Sequence, residues 1–307
     1  NIKKAAKTIV RNNPDAVGLS AMTDNRFNLI ELSREIKRIS PQMFIFVGGP
    51  HFTATAEDAV NNVPTIDVVV IGEGEYSSVE LLNCYFSGKS FHQVKNICFK
   101  DKQANGKIVK TQIQPAVKNL DLLPMPAYHL LELNKYSPLG FCLSNLNPQE
   151  KRMPAASVIS SRGCPNSCIF CANNSDGMKT EFRTRSPGLF VDEIQYLHEK
   201  YGFRIFNFWD DTFTISKEFV LMVCEEILKR NLRIKWYARG RVNTVNREIL
   251  QCMKDAGCIA ILFGAESGSE KILHTLKKNI TVEQIKKSVQ DAADVGMDVI
   301  VAFMISS

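Results

Sequence analysis

Cys164, Cys168 and Cys171 stand at C-x3-C-x2-C spacing in the run Gly163-Cys164-Pro165-Asn166-Ser167-Cys168-Ile169-Phe170-Cys171, just after an apolar stretch, 155–160, that reads as a buried strand. Three thiolates this close together can hold three irons of a 4Fe–4S cluster. An electron-carrying ferredoxin adds a fourth cysteine, and structural zinc takes four nitrogen or sulfur ligands. No fourth ligand is near: the next downstream cysteine is Cys224 and the nearest histidine is His198, each on a separate expected helix. The spacing therefore leaves one iron open, as catalysis requires. A zinc knuckle or a redox cysteine cluster is the rival reading of the same residues.

Other polar residues gather where apolar runs end. Asp210 and Asp211 follow the run 203–209, Arg239 and Arg241 end 234–238, and Glu266 and Ser267 follow 259–263. Asp211 or Thr214 reads equally well as the cap of the next helix, and the arginines as members of structural ion pairs. Towards the amino terminus, three apolar runs end in Ser20-Ala21-Met22, Gly48-Gly49-Pro50-His51 and Gly72-Glu73-Gly74-Glu75. Gly-Gly after a strand is on its own only a tight turn.

The elements that must position these residues alternate. Helical spacing over 2–11, 27–39 and 55–61 is interleaved with apolar strands at 16–20, 43–47 and 68–71, and a helix over 76–86 follows. Alternating β and α implies a parallel sheet, with the ligand edge at the strands' carboxyl ends. Segments 96–100 and 107–111, joined at Asn105-Gly106, read as a hairpin. Leu120-Asp121-Leu122-Leu123-Pro124-Met125-Pro126 reads as a proline-stiffened bridge, and 130–152 carries no assigned chemistry. Beyond the cysteines the alternation resumes, with helices over 187–201, 217–230, 247–256, 269–276 and 281–295 and strands over 203–209, 234–238, 259–263 and 298–304. The division expected is 1–92, a connecting 93–150, and 151–307.

Composition bounds the class. A chain of 307 residues with 45% hydrophobic and 23% charged residues has the make-up of a globular protein with room for two cores. No apolar run approaches a membrane span, and Asn1-Ile2-Lys3-Lys4 lacks a signal peptide's apolar core, so the expected compartment is the cytoplasm. Nine cysteines, an odd number, suit a reducing compartment, and the six outside the loop read as core. The net charge of +6 is dispersed, so no nucleic-acid partner is expected, whereas small anionic substrates fit. His51 and His92 read as solvated loop histidines. The first residue is not Met, and Phe303-Met304-Ile305-Ser306-Ser307 ends on an uncapped apolar strand, which suggests a fragment.

The cysteine loop, with Phe170 just before its last cysteine, resembles the signature of the radical S-adenosylmethionine (SAM) superfamily. The resemblance implies that the open iron is chelated by SAM, and that one electron from the cluster cleaves SAM to methionine and a 5′-deoxyadenosyl radical that abstracts hydrogen. It implies an α/β fold: a partial doubly wound, Rossmann-like cobalamin-binding domain, then an open (β/α)6 radical SAM barrel that this chain leaves incomplete. Trp209-Asp210-Asp211-Thr212-Phe213-Thr214, Trp236-Tyr237-Ala238-Arg239-Gly240-Arg241 and Phe263-Gly264-Ala265-Glu266-Ser267-Gly268-Ser269 resemble strand-end motifs of the cobalamin-dependent branch. They imply SAM contacts at Phe170, Asp210, Asp211, Arg239, Arg241, Glu266 and Ser267: a carboxylate on the SAM ammonium, Glu266 on the ribose hydroxyls and an arginine on the SAM carboxylate. Residues 180–185 resemble the branch's R-x-R-S, with Arg183 and Arg185 as loop anchors or anion contacts.

Ser20, Met22, Gly48 and Gly49 resemble the S-x-L and G-G loops of cobalamin-binding domains, with Met in place of Leu; Gly72 and Gly74 lie on the same edge. Ser20 is then expected near the corrin, and Gly48 and Gly49 where any Cβ would clash with the nucleotide tail. Together these imply a cobalamin-dependent radical SAM enzyme, foremost a C-methyltransferase, with a small-molecule substrate and an external flavodoxin- or ferredoxin-type electron donor. A non-methylating relative of the anaerobic magnesium-protoporphyrin monomethyl ester cyclase type, and a non-catalytic cobalamin or cluster sensor, are the alternatives.

Overall fold

The computed structural model describes residues 1–135, 144–174 and 181–305. Cys142, Thr180, Ser306 and Ser307, read above, lie outside them. The chain forms two compact units, one built on Asn1–Lys118 and one on Asn119–Cys171 with residues 181–305.

In the first unit α1 (Ile2–Arg11), β1 (Ala16–Ser20), α2 (Arg26–Ile39), β2 (Phe44–Gly48), α3 (Pro50–Ala54), α4 (Ala56–Asn62), β3 (Val68–Val70) and α5 (Glu75–Phe86) follow in order. The helix expected over 55–61 is two short ones, because Pro50 with its preset φ starts a helix directly after Gly49 and Thr55 breaks it. Strands β1, β2 and β3 are parallel neighbours; β4 (Ile97–Asp101) and β5 (Lys107–Lys110) then add antiparallel, so the hairpin extends this sheet. Its turn works because Asn105 and Gly106 both accept positive φ, 53° and 76°.

The period-2 alternation gives this sheet two buried faces. Ile45, Val47, Val69 and Cys98 pack with Ala6, Leu29, Ile36 and Phe52 of α1–α3. Phe44, Val68, Val70, Ile97 and Phe99 pack with Leu81 and Cys84 of α5. Residues inside such a sheet must be apolar on every side, which is why these strands read as continuous apolar runs.

The second unit opens with β6 (Ala155–Val158), β7 (Ser161–Arg162), β8 (Arg183–Thr184), α6 (Pro187–Tyr201) and β9 (Ile205–Phe208). It continues with α7 (Lys217–Lys229), β10 (Lys235–Gly240), α8 (Arg247–Asp255), β11 (Cys258–Glu266), α9 (Glu270–Thr275), α10 (Val282–Asp294) and β12 (Asp298–Phe303). Five strands form one parallel sheet in the order β12-β11-β10-β9-β6, while β7 and β8 form an antiparallel ribbon that the sequence did not signal. Phe206, Phe208, Trp236, Ala238, Ile261 and Phe263 face the helices, with Phe208 and Trp236 stacked at 4.4 Å.

The opposite, inner face is sealed at the strands' amino ends. Leu146 packs on Ile205, Tyr237, Ile259 and Ala260. Asn145 donates its N–H to Asp298 (3.0 Å), and Lys235 reaches the Asn145 carbonyl (3.1 Å) and Glu150 (2.8 Å). Sealing one end leaves the carboxyl ends as the working edge.

Arg185 is an anchor. Its guanidinium pairs with buried Glu193, to which Tyr128 also donates, and its N–H binds the Ser160 carbonyl at 2.8 Å. The bridge joins the same unit where Asp121 accepts from the Ser186 N–H at 2.7 Å. Of the cysteines outside the loop, Cys84, Cys98, Cys224 and Cys258 are buried and Cys252 half-buried. Burial pushes the Cys98 thiol up to about 11, as expected of an inert core thiol.

Candidate active site

The cysteine loop leaves the carboxyl end of β6 through Ser160 and Ser161. Gly163 adopts φ +80°, the left-handed turn that starts the loop. Cys168 is buried, while Cys164 and Cys171 are half-buried. The loop is pinned where the Ile169 N–H binds the Leu276 carbonyl (3.1 Å) and the Cys171 N–H binds the Cys168 carbonyl (3.1 Å). Asn166 donates to the Cys164 sulfur at 3.3 Å. Among the described residues no three Cys, His, Asp or Glu side chains gather round a single metal-ion position. Three thiols on one loop suit instead a cluster that spreads its thiolates over separate irons.

Asp210, expected as a SAM contact, is 1% exposed and turned onto the strand end that launches the loop. Its Oδ1 accepts from the N–H groups of Ser160 (3.0 Å) and Ser161 (2.5 Å) and from their hydroxyls (2.8 and 2.5 Å). Its Oδ2 is buried with no partner. Burial outweighs these hydrogen bonds and holds the carboxyl above its ordinary range. Asp211 beside it is exposed. Neither Asp211 nor Thr214 caps α7: Ser216 does, accepting from the Phe219 N–H at 3.2 Å. Thr214 instead accepts the Arg241 N–H at 3.1 Å.

The two arginines two residues apart have different surroundings. Arg241 is buried, with Nε on Asn243 Oδ1 (2.9 Å), Nη1 3.7 Å from the Cys168 sulfur, and Nη2 buried without a partner. Arg239 lies over the Trp209 ring, its Cζ 3.6 Å from the centroid. A buried guanidinium N–H without an acceptor marks where an anionic group belongs. The donor set fits a thiolate-held cluster with an anion-bearing ligand beside it.

Glu266, at the end of β11, holds φ +62°, rare outside glycine, and Ser267 follows it half-buried. The Glu266 carboxylate folds back over Gly264, where an added Cβ would stand 2.5 Å from Oε1, and meets Lys278 Nζ at 2.8 Å. Both charges are nearly buried. Lys278 also lies 5.7 Å from the centre of the Phe170 ring, so the turn after α9 touches both the loop and the strand end. Lys278, Asn243, Ser160 and Ser161 were missed in the sequence. Lys277-Lys278 reads there as a solvated pair, and no local pattern reveals that the second is enclosed.

In the first unit the glycine loops lie side by side at the carboxyl ends of β1–β3, with Ser20 in register with Gly48. The Ala21 N–H binds the Gly48 carbonyl (3.2 Å), the His51 N–H binds the Ala21 carbonyl (3.2 Å), and the Gly72 N–H binds Thr53 Oγ1 (3.0 Å). Gly74 starts α5, and Met22 is 56% exposed on this edge. His51 is half-buried, not solvated: Nδ1 lies 3.3 Å from Thr23 Oγ1, and burial lowers its pKa. His92, exposed, pairs with Asp101 at 2.8 Å. Ser20 and Leu19 line a cavity of about 340 Å³ with Asn25 and Leu29.

Gly49 has a reason within the chain itself. At φ +88° its Cβ would meet Ser20 Oγ at 2.6 Å and the Ala21 carbonyl at 2.8 Å, so the chain itself demands glycine; at Gly48 the nearest contact is an ordinary 3.5 Å. Gly49→Ala is therefore expected to cost about 1–3 kcal/mol of strain and to spread the two loops. Protein carrying it should lose cobalamin on dialysis, followed by absorbance, and should unfold at lower urea than the Gly48→Ala protein.

The family model described as the Radical SAM superfamily matches residues 158–306, and that of the B12 binding domain matches residues 1–82. The chain belongs to the radical SAM enzymes that carry a B12-binding domain. The cofactors of that family are a 4Fe–4S cluster, SAM and cobalamin. An uncharacterized methyltransferase of Pyrococcus horikoshii is 34% identical over 98% of this chain and 62% of its own. The anaerobic magnesium-protoporphyrin IX monomethyl ester cyclase of Rubrivivax gelatinosus is 29% identical over 92% of this chain and 49% of its own. The chain thus spans between about half and two thirds of the length of these relatives. The solved structure of the cobalamin-dependent SAM radical enzyme OxsB, with aqua-cobalamin and SAM bound, superposes over 99% of this chain and 42% of that one, with TM-score 0.80 and 20% identity, a likeness of fold. No helix among the described residues is long and apolar enough to cross a membrane.

Proposed function

We propose that this chain forms the cofactor-binding part of a cobalamin-dependent radical SAM C-methyltransferase acting on a small molecule in a reducing, cytoplasmic compartment, with a flavodoxin- or ferredoxin-type electron donor. The observation that carries the reading is the convergence, at the carboxyl ends of β6, β10 and β11, of the cysteine loop, the buried Arg241 on Cys168 and the Glu266–Lys278 pair. Similarity to the Pyrococcus methyltransferase supports methylation.

Each residue's part follows from its geometry. Cys164, Cys168 and Cys171 would hold the cluster. Arg241 offsets thiolate charge at Cys168 and offers Nη2 to the SAM carboxylate. Glu266, oriented by Lys278, accepts from the ribose hydroxyls; Ser267 follows it and Phe170 lies near Lys278, and the exposed Asp211 faces the SAM ammonium. Asp210 acts behind them as a positioning residue, holding Ser160 and Ser161. Ser20, Met22, Gly48, Gly49, Gly72 and Gly74 form the edge that would take cobalamin. When bound, these cofactors supply a carbon radical and a transferable methyl group; the chain's task is to place them and exclude water.

Similarity to the cyclase favours a second, non-methylating reading. Reconstituted protein is incubated with reductant, methylcobalamin, a small-molecule extract as acceptor pool, and SAM bearing a deuterated methyl group. Methyl transfer predicts S-adenosylhomocysteine and 5′-deoxyadenosine together, with label on carbon. Deoxyadenosine alone, with unlabelled converted product, would point to the cyclase chemistry, and neither product to a sensor.

A further inference from the structure

We propose that Trp209 and Arg239 form the recognition site for an oxyanion, a carboxylate or phosphate, on a substrate whose remaining body is apolar. This rests on the radical SAM reading for the reaction and adds the class of its substrate. Phe208 and Ala238 are in register on β9 and β10, and both belong to the core under the helices. The next residue on each strand, Trp209 and Arg239, therefore turns to the inner face, one layer above Tyr237 on the side of the carboxyl ends. The Trp209 N–H binds the Val158 carbonyl at 2.8 Å, which carries the ladder on to β6 and fixes that orientation.

Among the described residues no carboxylate meets the Arg239 guanidinium. Two half-buried arginines of this unit have carboxylates: Arg185 has Glu193, and Arg230 has Asp192 and Glu226. Arg241 is taken up by Asn243 and Cys168. Arg239, among the described residues, has only the Trp209 ring, and no hydrogen bond or ion pair holds its side chain. Stacking occupies one flat face of the guanidinium and leaves its N–H edge, the part that binds carboxylate or phosphate with two parallel bonds. The Trp209 indole is 44% exposed on the working edge of the sheet and so is open to a ligand. Its neighbours in the same layer, Ile159, Leu262 and Ile300, are apolar and at least partly exposed. One fixed cation on an otherwise apolar floor selects one anionic group attached to an apolar body.

The chain contains two tryptophans, and the other, Trp236, is buried with its indole N–H on the Ala256 carbonyl at 2.8 Å. Protein labelled with 15N-tryptophan therefore gives one reporter at the site and one internal marker of the fold. Titration with inorganic phosphate and, separately, benzoate, against chloride at equal ionic strength, should move the Trp209 indole signal saturably with one or both and leave Trp236 in place. Which anion wins tells phosphate from carboxylate. Arg239→Ala should weaken the response at least tenfold and Arg239→Lys several-fold, since an ammonium offers neither the flat face nor the fork. Cluster content should be unchanged in both, and SAM binding by equilibrium dialysis is measured alongside because the resemblance also offers Arg239 to SAM. No saturable shift at Trp209, or an equal shift in Arg239→Ala with Trp236 unmoved, overturns the proposal. So does loss of SAM binding in Arg239→Ala, which would make Arg239 a cofactor residue. A chain that takes up no iron yet keeps the Arg239-dependent shift supports the anion site and overturns the reading of the reaction.

Discussion

Anaerobic reconstitution of the Cys168→Ala protein should leave iron at background, where the parent chain takes up about four irons. The effect is expected to be total because three thiolates are the whole protein ligand set, and two cannot hold three irons. Cys168 is the most telling of the three. It is the buried one, and it alone meets Arg241, whose Nη1 lies 3.7 Å from the sulfur. Removing it strips the cluster and leaves a buried guanidinium without its anion. Iron and sulfide assays, with the visible absorbance, check the first part, and production of 5′-deoxyadenosine from SAM should fall to background with it. Full iron retention in Cys168→Ala, or stoichiometric zinc in the reconstituted parent, would contradict the assignment.

Asp210→Ala should be strongly destabilising. Four donors converge on one oxygen of Asp210, two of them backbone N–H groups that cannot turn elsewhere. Leaving two buried N–H groups unsatisfied costs about 1–3 kcal/mol each, so a loss of roughly 3 kcal/mol or more is expected in urea unfolding. Because Ser160 and Ser161 launch the cysteine loop, iron uptake should fall as well. Asp210→Asn keeps the accepting oxygen and should retain most of both. The pair also separates in pH. Burial raises the Asp210 carboxyl above its ordinary 3.8, so the native state keeps that proton to higher pH than the unfolded chain does. The corresponding stability is full below pH about 3.8 and is lost as pH rises through the folded-state value. Relative to Asp210→Asn, which cannot ionise, the parent should therefore weaken over that window. A parallel pH profile for the two proteins would remove this account of Asp210.

The cysteine loop was legible because its chemistry is local: Cys164, Cys168 and Cys171 lie within eight residues, and ligand count alone separates an open iron from a ferredoxin or a structural zinc site. The β/α order was legible for a related reason. Runs such as Phe44-Ile45-Phe46-Val47 must be apolar on both faces, and the amphipathic helices between them state their own period. What spacing could not state is which polar side chain turns where. Asp210 and Asp211 are adjacent and alike in sequence, yet one is buried on Ser160 and Ser161 and the other exposed, because successive residues turn to opposite faces and only the neighbouring strand decides which face has donors to offer. Arg239 and Arg241 also part, one onto Trp209 and one onto Cys168, because β10 ends at Gly240 between them and Arg241 follows the turn rather than the strand. Lys278 meets Glu266 twelve residues away and Asp210 meets Ser161 forty-nine away, separations at which sequence pattern carries no distance information. The sequence alone therefore determined the cysteine spacing, the order of strands and helices and the glycine-rich strand ends. Only the tertiary structure decided the partners of the charged residues, because charge pairing in a folded chain depends on which strands and loops lie side by side.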